Sequence, residues 1–142
     1  MDDLAARGRA ILEGGRSGAL STHSIEKPGF PFASLTFYSL DLRGRPIFLL
    51  SGLAVHARNL AADPRASLLV TDGDSQASPR ATVLGRTAQL SGAEADEARS
   101  SYLARNPEAS VWASFGDFAF WRLDPEDMYV VAGFGSAGWV GR

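Results

Sequence analysis

The chain is predicted to be a mainly β, α+β protein: an antiparallel sheet closed into a small barrel, with short helices at its edges. Three observations lead there. Six or seven segments carry the short apolar or alternating patterns of strands. The connections between them are mostly short. Long helical segments do not alternate regularly with strands, as a doubly wound parallel sheet would require.

Asp2–Gly14 reads as a helix, with Asp2 as its cap and Leu4, Ile11 and Leu12 on one face. Gly14-Gly15 ends it. Ala19–His23 is a first strand, with His23 on its surface, and Glu26–Pro31 is a loop around the Pro28-Gly29 turn signal. Phe32–Leu40 alternates most clearly. Ala33, Leu35 and Phe37 form its core face, so Ser34 and Thr36, on the face shared with Tyr38, look onto either a groove or solvent. Asp41–Pro46 is a hairpin connection, with Gly44 the natural place for a positive φ.

Ile47–Thr71 is the stretch around which the chain is organised. Ile47–Leu50 is a short apolar strand ended by Ser51 and Gly52. Leu53, His56 and Leu60 then fall at helical spacing, Asp63-Pro64 stops the helix, and Ser67–Val70 starts the next strand. Ser51, His56 and Arg58 therefore crowd a strand-to-helix junction, where backbone N–H groups favour an anion. One reading is a site for the phosphate of a flavin nucleotide. The other is a junction that binds nothing, with Ser51 capping the helix and Arg58 a solvated charge.

Asp72–Pro79 is a polar loop. Thr82–Leu90 is a long strand in which Gly85 marks a bulge or bend. Arg80, just before it, is either a ligand contact or an edge charge that discourages aggregation. Ser91-Gly92-Ala93-Glu94 matches a capping box and opens a helix to about Arg105, with Ala95, Ala98, Tyr102 and Leu103 facing inward. Asn106-Pro107 closes it, and Glu108–Phe115 adds a turn. Phe118–Leu123 and Met128–Phe134 are two strands joined by Asp124–Asp127. The Gly-rich tail carries Trp139, read as an aromatic lid or an interface anchor, whereas Trp112 and Trp121 are core or interface aromatics.

Composition narrows the function. A length of 142 residues is read as one domain able to bury a real core. Cysteine is absent, which excludes disulfides, thiolate metal sites and cysteine nucleophiles. His23 and His56 show no metal-ligand spacing. A net charge of −2 argues against a general nucleic-acid binder. No apolar run is long enough to span a membrane, and the acidic start reads as no secretory signal, so a cytoplasmic location is expected. No nucleophile motif is present, which agrees with chemistry carried by a cofactor.

Several landmarks recur in an order that resembles a known family: Phe32–Leu35, Leu50–Leu60, Asp63–Leu69, Arg80–Leu90 with its central Gly85, and Gly133-Phe134-Gly135 before Trp139. Together they resemble the pyridoxamine 5'-phosphate oxidase-like FMN-binding split barrels, most closely the branch related to bacterial haem-utilisation proteins. The resemblance implies a six-stranded Greek-key split barrel that works as a homodimer, with FMN in a groove at the dimer interface. It implies that Ser34, Leu35 and Thr36 run beside the flavin ring and that Ser51 contacts the phosphate or ribityl chain. His56 and Arg58 would lie at the phosphate, Arg80 would make a polar contact, and Trp139 would close the site from the partner chain. A small-molecule electron donor is then the expected second substrate of an FMN-dependent oxidoreductase. Val55-His56 stands where the oxidases carry Arg-Lys, and Ala33 where an Arg is common, which removes fixed charge from a phosphate clamp. These departures favour the alternative of a non-catalytic homodimer that holds flavin or haem, in which a histidine, His56 first, serves haem binding.

Overall fold

A computed structural model of the chain describes residues 3–133 and 135–141. Asp2, expected as a helix cap, and Phe134, expected at a strand end, lie outside the described residues. The elements in order are α1 (Asp3–Gly14), β1 (Ser17–His23), β2 (Pro31–Phe37), β3 (Ser39–Leu40), β4 (Pro46–Ser51), α2 (Val55–Ala62), β5 (Arg65–Thr71), β6 (Arg80–Gln89), α3 (Gly92–Arg105), a 3-10 turn (Pro107–Val111), β7 (Phe118–Gly133) and β8 (Ser136–Trp139). None of the described helices is long and apolar enough to cross a membrane.

All pairings are antiparallel, in the order β2-β1-β5-β6-β7-β4-β3, with β8 added on β7. The two ends of that path, β2 and β3, are separated in the chain by Tyr38 alone. The sheet therefore curls until its edges meet at one corner and diverge elsewhere, which is a split barrel. The described strands number eight where six were expected. Phe32–Leu40 is divided at Tyr38, the Gly-rich tail supplies β8, and the two strands expected after Phe118 are one strand of 16 residues.

That long strand is possible because of a bulge. Leu84 pairs with Asp127 but Gly85 pairs with Pro125, so Glu126 is an extra residue in β7. One extra residue reverses which face each following side chain occupies. Trp121 and Leu123 before the bulge and Val130 and Ala132 after it thus all point inward and are buried. Gly85 makes the bulge sterically possible: a Cβ there would overlap the Asp124 carbonyl oxygen and lie 2.9 Å from its carbon.

The inner face of the curl is the core, with Leu20, Tyr38, Phe48, Leu50, Leu60, Leu68, Val83, Trp121 and Leu123 in one cluster. The Tyr38 hydroxyl donates to the Leu12 carbonyl, and burial pushes its pKa up to about 12. α1 closes one mouth, where Leu4 and Ile11 pack on Ala81, Val130 and Ala132. α3 covers the far side of β4, where Ala98 and Tyr102 meet Ile47, Leu49 and Phe120.

Two local expectations fail. Ser91 makes no side-chain cap to α3; Glu94, the other half of the expected capping box, pairs instead with Arg122 at 3.0 Å. The faces of β2 are also reversed. Tyr38 is fully buried and Ser34 and Thr36 are half-buried, while Leu35 and Phe37 are 80% and 50% exposed. The buried Tyr38 ring next to the edge fixes this orientation against the apolar alternation. Replacing Gly85 by Ala should destabilise the fold by about 1–3 kcal/mol, read as a lower urea midpoint. Gly116→Ala, with open space around the new methyl, should change it by about 0.5 kcal/mol or less. Equal midpoints for Gly85→Ala and the natural chain would contradict the bulge as the fixed point of β6 and β7.

Candidate functional site

The strand-to-helix junction is held from beneath by one buried amide. Asn59 is fully buried; its Nδ2 donates to Thr22 Oγ1 at 3.0 Å, and its Oδ1 accepts from the Ile25 N–H at 3.1 Å. With Ala57 and Leu60 in the core, this seats α2 across the split, against β1 and β2. The seating aims His56 at the edge strand, where its Nδ1 lies 3.2 Å from Ser34 Oγ. Burial lowers the His56 pKa, so the imidazole is held neutral. Its Nε2 has no hydrogen-bond partner among the described residues.

The start of α2 is less hospitable to an anion than the sequence indicates. α2 begins at Val55, after an exposed Leu53, and has no side-chain cap. Ser51 Oγ donates to Asp117 Oδ2 at 2.9 Å and accepts from the Leu53 N–H at 3.2 Å. That hydroxyl is already committed, and its partner is a carboxylate that would repel a phosphate. Arg58 is exposed, and its guanidinium has no partner among the described residues.

The second feature is the outer face of the sheet. Register places Leu35, Ala19, Leu69, Thr82, Tyr129 and Trp139 in one row across β2, β1, β5, β6, β7 and β8. No described helix packs on this row, and its ends are Leu35 and a Trp139 that is 42% exposed. Trp139 meets Tyr129 edge to face, with ring centroids 5.1 Å apart. Arg80 Nη1 donates to the carbonyls of Gln76 at 2.8 Å and Ser78 at 3.1 Å, which ties down the 72–79 loop. Arg80 and Tyr129 line one cleft of about 530 Å³.

The expected site residues thus fall into two groups. Ser34 and His56 meet where the β2 edge faces α2, Ser51 ends β4 and Arg58 lies exposed on α2, and Leu35 and Thr36 follow Ser34 on alternate faces. Arg80 and Trp139 belong to the other end of the outer face. Five strand spacings separate Leu35 from Trp139, about 24 Å along the sheet. The sequence offered no signal for Asp117, for Asn59 as the pin of α2, or for Tyr129. The first two act through long-range contacts, and the third faces outward only because of the bulge.

Comparison with known proteins places this architecture. The family model described as "CREG, beta-barrel" matches residues 1–142. The chain is 38% identical over 130 residues to "Non-canonical heme oxygenase HOZ, chloroplastic" of Arabidopsis thaliana, covering 91% of this chain and 40% of that protein. It is 28% identical to Protein CREG1 of Homo sapiens, covering 94% of this chain and 69% of the human one. Among solved structures, the heme binding protein from Mycobacterium smegmatis superposes with a TM-score of 0.89 at 33% identity, over 96% of this chain and 57% of that one. The chain therefore spans less than half of the plant relative's length and somewhat over half of the mycobacterial one's. Its fold matches that of the solved relative, and the family match runs the full length of the sequence: this chain belongs to the CREG β-barrel family.

Proposed function

We propose that this chain is a haem-binding split-barrel protein that works as a homodimer. The observation that carries the proposal is the uncovered outer face, whose two site-bearing ends lie about 24 Å apart along the curled sheet of one chain. An apolar stripe of this kind, with Leu35 80% exposed at its end, marks an interaction surface. A second copy packed there buries the stripe and brings its Arg80–Tyr129–Trp139 end to the β2–α2 end of the first. Homodimerisation and a composite site then follow from one contact.

His56 suits haem iron better than it suits a phosphate. It is held neutral, as a metal-binding imidazole must be, and its Nδ1 is oriented by Ser34 while Nε2 stays open. Exposed Leu53 and Val55 beside it offer apolar contact to a flat macrocycle. The similarity to a plant heme oxygenase and to a mycobacterial heme binding protein supports the same cofactor. FMN, with a small-molecule electron donor, is the second reading; the Ser51–Asp117 bond weighs against its phosphate at the α2 start.

The test is a spectroscopic titration of the purified protein with haem and, separately, with FMN. Haem should give a shifted, saturable Soret band that His56→Ala weakens by at least about tenfold, while the fold is retained. Leu35→Asp should weaken both haem retention and dimerisation. Tight FMN binding with no Soret shift would reverse the choice of cofactor. The pH dependence is a separate expectation. His56 has a folded-state pKa below its ordinary 6.5, so the unfolded chain takes up that proton first as pH falls. Its share of stability is present above about 6.5 and is lost as pH drops through the folded-state value. His56→Gln should therefore show a shallower loss of unfolding free energy between about pH 7 and 5; identical slopes would contradict the burial assigned to His56.

A further inference from the structure

The outer face carries a second feature, separate from the His56 junction. Arg65 on β5 and Arg86 on β6 are directly opposite each other, and both point outward. Like charges in that relation oppose strand pairing. Each is held by one acid. Arg65 binds Asp63 through Nε at 3.0 Å and Nη2 at 2.6 Å, and Arg86 binds Glu126 through Nε at 2.9 Å. A guanidinium has five N–H donors. Both terminal nitrogens of Arg86, and Nη1 of Arg65, remain without a partner among the described residues.

These donors border a cleft of about 380 Å³ whose floor is built from small residues. Ser21 and Ser67 face each other across β1 and β5, and neither hydroxyl has a hydrogen-bond partner among the described residues. His23 stands at the mouth. Two guanidinium edges, two hydroxyls and an imidazole therefore line one concavity, and the single acid among its lining residues, Glu126, is paired with Arg86. That donor set matches a tetrahedral or carboxylate oxyanion, which accepts several hydrogen bonds and favours the fork of arginine. Apolar surface next to it, at Leu84, would take the body of a larger molecule.

We infer that this cleft is an oxyanion-binding site, taking a phosphate or a carboxylate group. The site does not require the haem reading, although haem carries two carboxylates that could fill it. The probe is inorganic phosphate, followed by amide NMR at constant ionic strength made up with sodium chloride. Saturable shifts should appear at Ser21, Ser67 and Arg86, and the exposed double substitution Arg65→Gln/Arg86→Gln should weaken them about tenfold with a native spectrum elsewhere. No saturable shift, or undiminished affinity in the double variant, would overturn the inference. A second arm identifies the source of the oxyanion. If haem displaces phosphate and haem dimethyl ester does not, the group is a haem carboxylate; if neither does, the oxyanion does not come from haem. A protein that binds phosphate here but gives no Soret shift keeps the oxyanion site and loses the haem reading alone.

Discussion

A curled sheet has two faces, and the helices of this chain cover only part of the outer one. The inner face closes on itself around Tyr38, Phe48, Leu68 and Leu123. α1 stops one mouth, α2 fills the split, and α3 shields the outer side of β4. What is left open is a row from Leu35 to Trp139 across six strands. Apolar side chains kept in water forgo roughly 25 cal/mol for each Å² that could be buried. The open row is therefore the constraint on which the rest depends, because the same uncovered surface lies between the His56 junction and the Arg80–Trp139 end.

The bulge at Gly85 and Glu126 is what makes the row continuous. Without the extra residue, Tyr129 and Val131 would turn inward after Leu123, and Val130 would point to solvent. One inserted residue thus places an aromatic on the outer face and keeps an unbroken core on the inner face. Gly85 was legible in the sequence as a bulge or bend, since a glycine inside a strand often permits a close backbone approach. Its effect on the opposite strand was not, because the pairing register across β6 and β7 is a long-range property.

Most of the architecture could be read from local patterns. α1, α2 and α3 end where Gly14, Asp63 and Asn106 say they should, and the strand segments lie where the apolar runs lie. The failures share a cause. The alternation of Phe32–Phe37 pointed Leu35 and Phe37 at the core, because a sequence reader assigns the larger apolar side chains to the inside. Tertiary packing put Tyr38 there instead. At the site, Ser34 and His56 were singled out separately in the sequence, and the fold brings them within 3.2 Å of each other. The Ser51 hydroxyl, however, was taken by Asp117, 66 residues away, and no spacing rule connects the two. Arg65 and Arg86 were equally hidden, since only the register of β5 with β6 makes them neighbours.

The proposed haem-binding dimer requires that cofactor and second copy meet on the same face. Sedimentation velocity, recorded at the Soret wavelength and at 280 nm on a sample with substoichiometric haem, tests it directly. Haem absorbance travelling with a particle of twice the 15.1 kDa chain mass is the expected result. Haem sedimenting with the monomer, or a dimer that forms while haem stays free in solution, would contradict it.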